Sequence, residues 1–100
     1  MNYNNSLEDL SGLDNLESIY GGNFTISGNK NLKSLKGLNN LTSIIHPNGN
    51  SRAIEIFENP KLSEYCAIKK IVSNSDNKFY LITTNNLYNP TIEDIKKNCN

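Results

Sequence analysis

Apolar residues along this chain come in short bursts, and glycine or asparagine separates one burst from the next. In the first third the bursts are Leu7/Leu10, Leu16/Ile19 and Phe24/Ile26. None is long enough for an amphipathic helix, which needs a stripe sustained over about ten residues. The pattern predicts short extended segments joined by tight corners.

The bursts recur. Gly12, Leu13, Asn15, Leu16, Ser18 and Ile19 return as Gly37, Leu38, Asn40, Leu41, Ser43 and Ile44, each shifted by 25 positions. Leu7 and Leu10 return at the same shift as Leu32 and Leu35. Phe24, Ile26 and Asn29 return as Ile54, Ile56 and Asn59, shifted by 30. The five extra residues fall in the loop His46-Pro47-Asn48-Gly49-Asn50-Ser51-Arg52. A third, diverged copy starts at Leu62 and reaches Phe79-Tyr80-Leu81-Ile82. The organisation is one domain: copies at 6–30 and 31–61, then the diverged copy and a terminal cap over 62–100.

One copy cannot bury its own apolar face, so successive copies must stack. The expectation is a repeat solenoid, a coil with about three short strands per turn whose equivalent strands pair in parallel. Ile19 and Ile44 then sit one rung apart in a shared sheet. The last third reads differently. Leu62, Tyr65, Ile68, Ile71 and Val72 approach helical spacing over 60–73, with Asn59-Pro60 as cap and first helical residue. A strand is predicted at 79–83. A second helix is predicted over 91–99, opened by Thr91-Ile92-Glu93-Asp94, with Ile92, Ile95 and Cys99 on one face.

Composition narrows the function classes. With 36% apolar residues in a 100-residue chain, the core is thin. Ten cations balance ten carboxylates. The chain thus has no net field to attract a phosphate backbone or an anionic membrane, and no nucleic-acid partner is expected. No apolar run approaches the length of a membrane span, and no signal peptide opens the chain, which reads as a piece of a longer protein. Asparagine is abundant. Its regular placement between leucines argues against low-complexity disorder and suits the left-handed corners of a coil.

Chemistry-bearing residues are few. His46 is the one histidine, and a general base needs a nucleophile or acid held beside it. No Ser-His-Asp order, glycine-rich phosphate loop or His-Glu-x-x-His pattern is present. Gly21-Gly22 reads as a turn. Glu8, Asp9, Asp14 and Glu17 read as a solvated face, because calcium wants about six converging oxygens. Three glycosylation sequons, at Asn4, Asn23 and Asn40, are matches that so many asparagines produce by chance. The chain is read as a non-enzyme without cofactor or metal.

Binding is the better expectation. Insertions in repeat folds often form the contact surface. His46, Asn48, Asn50 and Arg52 offer hydrogen bonds there, and Tyr20, at the matching corner of the previous copy, adds aromatic area. The expected partner is a protein or a glycan. In the alternative, the chain is a purely structural terminal unit whose partners are neighbouring repeats of its parent chain. An open apolar N-terminal face around Leu7, Leu10, Leu16 and Phe24 also predicts a dimer.

The run Leu-x-x-Leu-x-Gly-Leu-x-Asn-Leu-x-Ser-Ile, then a glycine-rich turn, a Phe/Ile strand and Asn-Lys or Asn-Pro before the next leucine, resembles receptor L-domain-type, leucine-rich repeats of secreted bacterial surface proteins. The tail from Asn59-Pro60-Lys61-Leu62 through Tyr88-Asn89-Pro90-Thr91 to Asn98-Cys99 is similar to their C-terminal cap. The resemblance covers nearly the whole chain. It implies a right-handed β-helix-like leucine-rich fold of about two full turns, closed by an α-helical cap. The departures are the inserted loop and the lack of an N-terminal cap.

Cys66 and Cys99 both fall in that cap. They are 33 residues apart, outside a Cys-x-x-Cys arrangement. Zinc needs about four ligands, which two cysteines and His46 do not supply. A disulfide pinning the two cap helices and a pair of buried free thiols remain, with the disulfide favoured. That bond implies an oxidising compartment, hence a secreted or surface protein.

Overall fold

Bursts holding isoleucine or phenylalanine become strands, and leucine-only bursts become turns. Branched and aromatic side chains suit a pleated surface better than leucine does. The computed structural model describes residues 4, 6–46, 48, 51–74 and 79–99. A 3₁₀ turn at Ser11–Leu13 precedes β1 (Ser18–Tyr20), β2 (Asn23–Ser27), β3 (Ser43–Ile45) and β4 (Arg52–Phe57). A second 3₁₀ turn (Cys66–Ile68) runs into α1 (Lys69–Ser73), followed by β5 (Phe79–Thr84) and α2 (Ile92–Asn98).

All strand pairs are parallel. β1 lies on β3 with Ile19 opposite Ile44. The larger sheet has the order β2-β4-β5, with Phe24 opposite Ile54 and Ile54 opposite Leu81. Ile26, Ile54, Ile56, Leu35, Leu38 and Leu41 are fully buried between the sheets and turns. Each such side chain contributes roughly 1.5–3 kcal/mol.

The leucine-only bursts bend. Leu13 N–H donates to Leu10 O at 2.9 Å and Leu38 N–H to Leu35 O at 3.2 Å, closing tight turns. Neighbouring stretches meet there through a few backbone bonds, such as Lys33 N–H to Glu8 O at 3.0 Å and Leu35 N–H to Glu64 O at 3.0 Å, which form no strand, only one isolated bridge between Ser34 and Glu64. Gly37 makes one of these approaches possible. Its φ is +116°, and a Cβ there would lie 1.8 Å from Leu10 O.

These turns overturn the expected solenoid. A right-handed β-helix of about two turns with a helical cap requires a third stacked sheet, and the Leu7/Leu10 and Leu32/Leu35 stretches do not supply it. The smaller sheet stops at β3, where Ile71 of α1 lies against Ile44 around one small cavity. What forms is a small globule with two short parallel sheets and two helices of five and seven residues. Its Cα radius of gyration is 12.5 Å, close to the roughly 13 Å of a compact 100-residue domain.

A chain of asparagines closes one side. Asn4 N–H donates to Asn29 Oδ1, Asn29 N–H to Asn59 Oδ1 and Asn59 N–H to Asn86 Oδ1, each at 3.0 Å. Asn86 N–H ends the series on Asn89 Oδ1 at 2.9 Å. Asn29 and Asn59 are fully buried. Buried amides must be bonded or they cost stability, and here backbone donors fix each Oδ1 as acceptor. The Asn59 amide nitrogen turns back to Ile26 O at 3.1 Å, and that of Asn86 to Ile56 O at 3.0 Å.

This chain also alters the predicted helices. Asn59 is not a helix cap, because its side chain is held in the asparagine chain. The helix expected over 60–73 shrinks to the 3₁₀ turn and α1. α2 does begin at a cap: Thr91 Oγ1 accepts from Asp94 N–H, and Asp94 Oδ2 accepts from Thr91 N–H at 2.9 Å. Ile95 and Cys99 of that helix face are buried and Ile92 is half-buried.

Candidate functional site

Tyr20 ends β1 and pairs with Ile45, one residue before His46. The chain then reverses at Gly21 and Gly22, whose φ values of +116° and +90° suit glycine alone. Gly21 N–H donates to Ile45 O and Ala53 N–H to Gly22 O, both at 2.9 Å, which ties the corner to β3 and β4. The His46 ring lies over Gly22: a Cβ there would come within 2.6 Å of His46 Cδ2. His46 Nδ1 accepts from Asn48 N–H at 3.2 Å. Tyr20 is 75% exposed, the most exposed large apolar side chain among the described residues.

The five expected contact residues do not all converge. Tyr20, His46 and Asn48 share this corner. Arg52 does not: it opens β4 and lines a cavity of about 80 Å³ with Thr42, Ser43, Ile44, Ile71 and Phe79. Its place in the strand, opposite Phe79, takes it out of the inserted loop. Asn50, with Pro47 and Gly49, lies outside the described residues.

The cysteines form the expected disulfide. Cys66 and Cys99 are bonded with Cα atoms 5.4 Å apart. The bond ties the 3₁₀ turn before α1 to the end of α2. A disulfide is compatible with an extracellular location.

The disulfide also borders a cleft of about 610 Å³ lined by Tyr65, Tyr88, Pro90, Asp94 and Ile95 among others. Tyr65 is buried, and its hydroxyl donates to Tyr88 O at 2.8 Å. The two rings meet edge to face, 6.0 Å between centroids. Burial, and secondarily Tyr88, push the Tyr65 hydroxyl above its ordinary pKa, so it stays a donor.

The four N-terminal carboxylates disperse. Asp9 accepts from Ser11 N–H and Oγ, which holds its carboxyl below the usual range. Glu8 pairs with Lys33 at 3.7 Å on the surface. Asp14 and Glu17 line a shallow groove with Asn40 and Lys70. Among the described residues no helix is long and apolar enough to cross a membrane.

Sequence reading missed a second exposed group. Tyr80, Ile82, Leu87 and Tyr88 are all exposed within nine residues. The signal was present: in β5, large apolar side chains occupy both alternating positions, so one set must face out.

No known protein family, curated protein or solved structure matches the chain. The resemblance to receptor L-domain repeats thus rests on the sequence motifs alone.

Proposed function

We propose that this chain is a non-catalytic binding module of an exported protein, and that the Tyr20–His46 corner engages a protein or glycan partner. The observation that carries this reading is the placement of Tyr20. A large ring stands in solvent on a corner held by two parallel strands, two glycines and a packed imidazole. Its backbone is held by pairing with Ile45 before any partner arrives, which lowers the ordering cost of binding. Tyrosines so placed are frequent anchors at interfaces. The disulfide supports the exported location.

Arrays of glycans and of extracellular proteins, probed with the wild-type chain and Tyr20→Ala, test the reading. A captured partner should bind Tyr20→Ala at least about tenfold more weakly. Equal binding of the two would overturn the corner as the contact. A specific observation favours a second reading, a structural end unit: Leu7, Leu16, Ile19 and Phe24 are only partly buried on the N-terminal side. On that reading neither array captures anything.

A further inference from the structure

β5 is the last strand of its sheet, and its sequence, Phe79-Tyr80-Leu81-Ile82-Thr83-Thr84, carries no charge, proline or glycine. Edge strands exposed to solvent are ordinarily guarded by such residues. Tyr80 and Ile82 stand on the outer face, 52% and 45% exposed. The direction of the free backbone groups follows from the pairing with β4. Thr84 is opposite Phe57, and Glu58 N–H donates to Thr84 O at 3.1 Å. In a parallel ladder that bond turns both backbone groups of Thr84 toward β4, and those of Tyr80 and Ile82 with them. The N–H and C=O groups of Phe79, Leu81 and Thr83 consequently point away from β4.

We propose that β5 is a self-association edge, pairing antiparallel with β5 of a second copy about a two-fold axis at Leu81. In this register Leu81 faces Leu81 and Phe79 faces Thr83, and these are the residues whose backbone groups point outward. About six hydrogen bonds close the pair. Tyr80 lies opposite Ile82 of the second copy on the outer face, twice by symmetry. Aromatic–β-branched pairs of this kind stabilise antiparallel strands. The result is one six-stranded sheet, β2-β4-β5 continued through its mate.

Electrostatics permit it. Net charge is zero, so copies carry no long-range repulsion. Among the described residues the carboxylate beside this pair on the outer face is Glu55, opposite Ile82 on β4. Two copies of Glu55 are separated by three strand spacings, about 14 Å, beyond the screening length of about 8 Å in physiological salt. The opposite edge is a poorer site: β2 opens with the exposed, polar Asn23, and its neighbour Thr25 on the same face is polar too. A single strand-to-strand seam buries less area than a standard interface, so the dimer is weak and concentration-dependent.

Sedimentation from about 10 µM to about 1 mM tests this, using the wild-type chain, Ile82→Lys on β5 and Asn23→Lys on β2. The wild type and Asn23→Lys should dimerise alike. Ile82→Lys should weaken the dimer about fivefold to thirtyfold, because both Tyr80–Ile82 pairs are lost at once. In parallel, exchange of the Leu81 amide should slow as wild-type concentration rises, while that of Ile82, already bonded to β4, should not change. A wild type that stays monomeric to about 1 mM overturns the proposal. So does a dimer lost with Asn23→Lys and kept with Ile82→Lys, or a Leu81 amide indifferent to concentration.

Discussion

Asn59 Oδ1 accepts the backbone N–H of Asn29 at 3.0 Å, across 30 residues of chain. The same side chain donates to Ile26 O at 3.1 Å. One buried amide therefore links β2, the corner after it and the corner after β4. This arrangement holds Phe24 opposite Ile54, and with it the sheet that carries the Gly22 corner.

Replacing that side chain should be costly. Asn59→Ala leaves the buried Asn29 N–H without its acceptor, at about 1–3 kcal/mol, and removes the amide bond to Ile26 O, which keeps its bond within the sheet. A total loss of about 2–4 kcal/mol is expected in urea unfolding. Asn31→Ala, whose Oδ1 accepts from Lys61 Nζ at the surface, should cost under about 1 kcal/mol.

How much of this was legible in the sequence depends on the residue. The pairing of Ile19 with Ile44 followed from one constant shift of 25, and that of Phe24 with Ile54 from a shift of 30. The asparagine chain was visible in part, because Asn4, Asn29 and Asn59 each stand three residues before a leucine. Asparagine is usually exposed and suits corners, so the spacing alone does not mark these side chains as buried. The fourth member, Asn86, has Asn89 where the leucine would be, so its link could not be read from the motif. The expected solenoid failed at Leu7/Leu10 and Leu32/Leu35: apolar spacing does not separate a strand from a turn whose leucines face inward. Arg52 closes the inserted stretch in the repeat spacing, whereas β4 already begins there.

The equivalent glycines of the two repeats, Gly12 and Gly37, give opposite expectations. Gly37→Ala puts a Cβ at 1.8 Å from Leu10 O at a positive φ. Backbone must shift, and a loss above about 3 kcal/mol in thermal unfolding is expected. Gly12→Ala meets nothing within 4 Å, and should change stability by no more than about 0.5 kcal/mol.

Removing the disulfide should act on α2 first. That helix has seven residues and is fastened by Ile95 and Cys99. Cys66→Ser/Cys99→Ser should cost roughly 3–4 kcal/mol on the chain-entropy account. Hydrogen exchange should show the amides of Ile95 and Cys99 losing protection before those of β4.

The start of α2 should respond to acid. Hydrogen bonds from Thr91 backbone and side chain hold the Asp94 carboxyl below its ordinary range. Its folded pKa is depressed, so its contribution is present above the ordinary carboxylate range and is lost as pH falls through the lowered value. Helical circular dichroism followed from pH about 6 to about 2 should decline in that window. Asp94→Asn should flatten the decline, and Thr91→Ala should cost about 0.5–2 kcal/mol at neutral pH.

Backbone exchange at Asn29 and Asn59 bears on the whole account, because their N–H groups donate to side chains across the buried chain. If those side chains hold the two corners in register, both amides exchange as slowly as Ile54 and Ile56 in the middle of β4. Exchange of either amide at the rate of an exposed turn would contradict it.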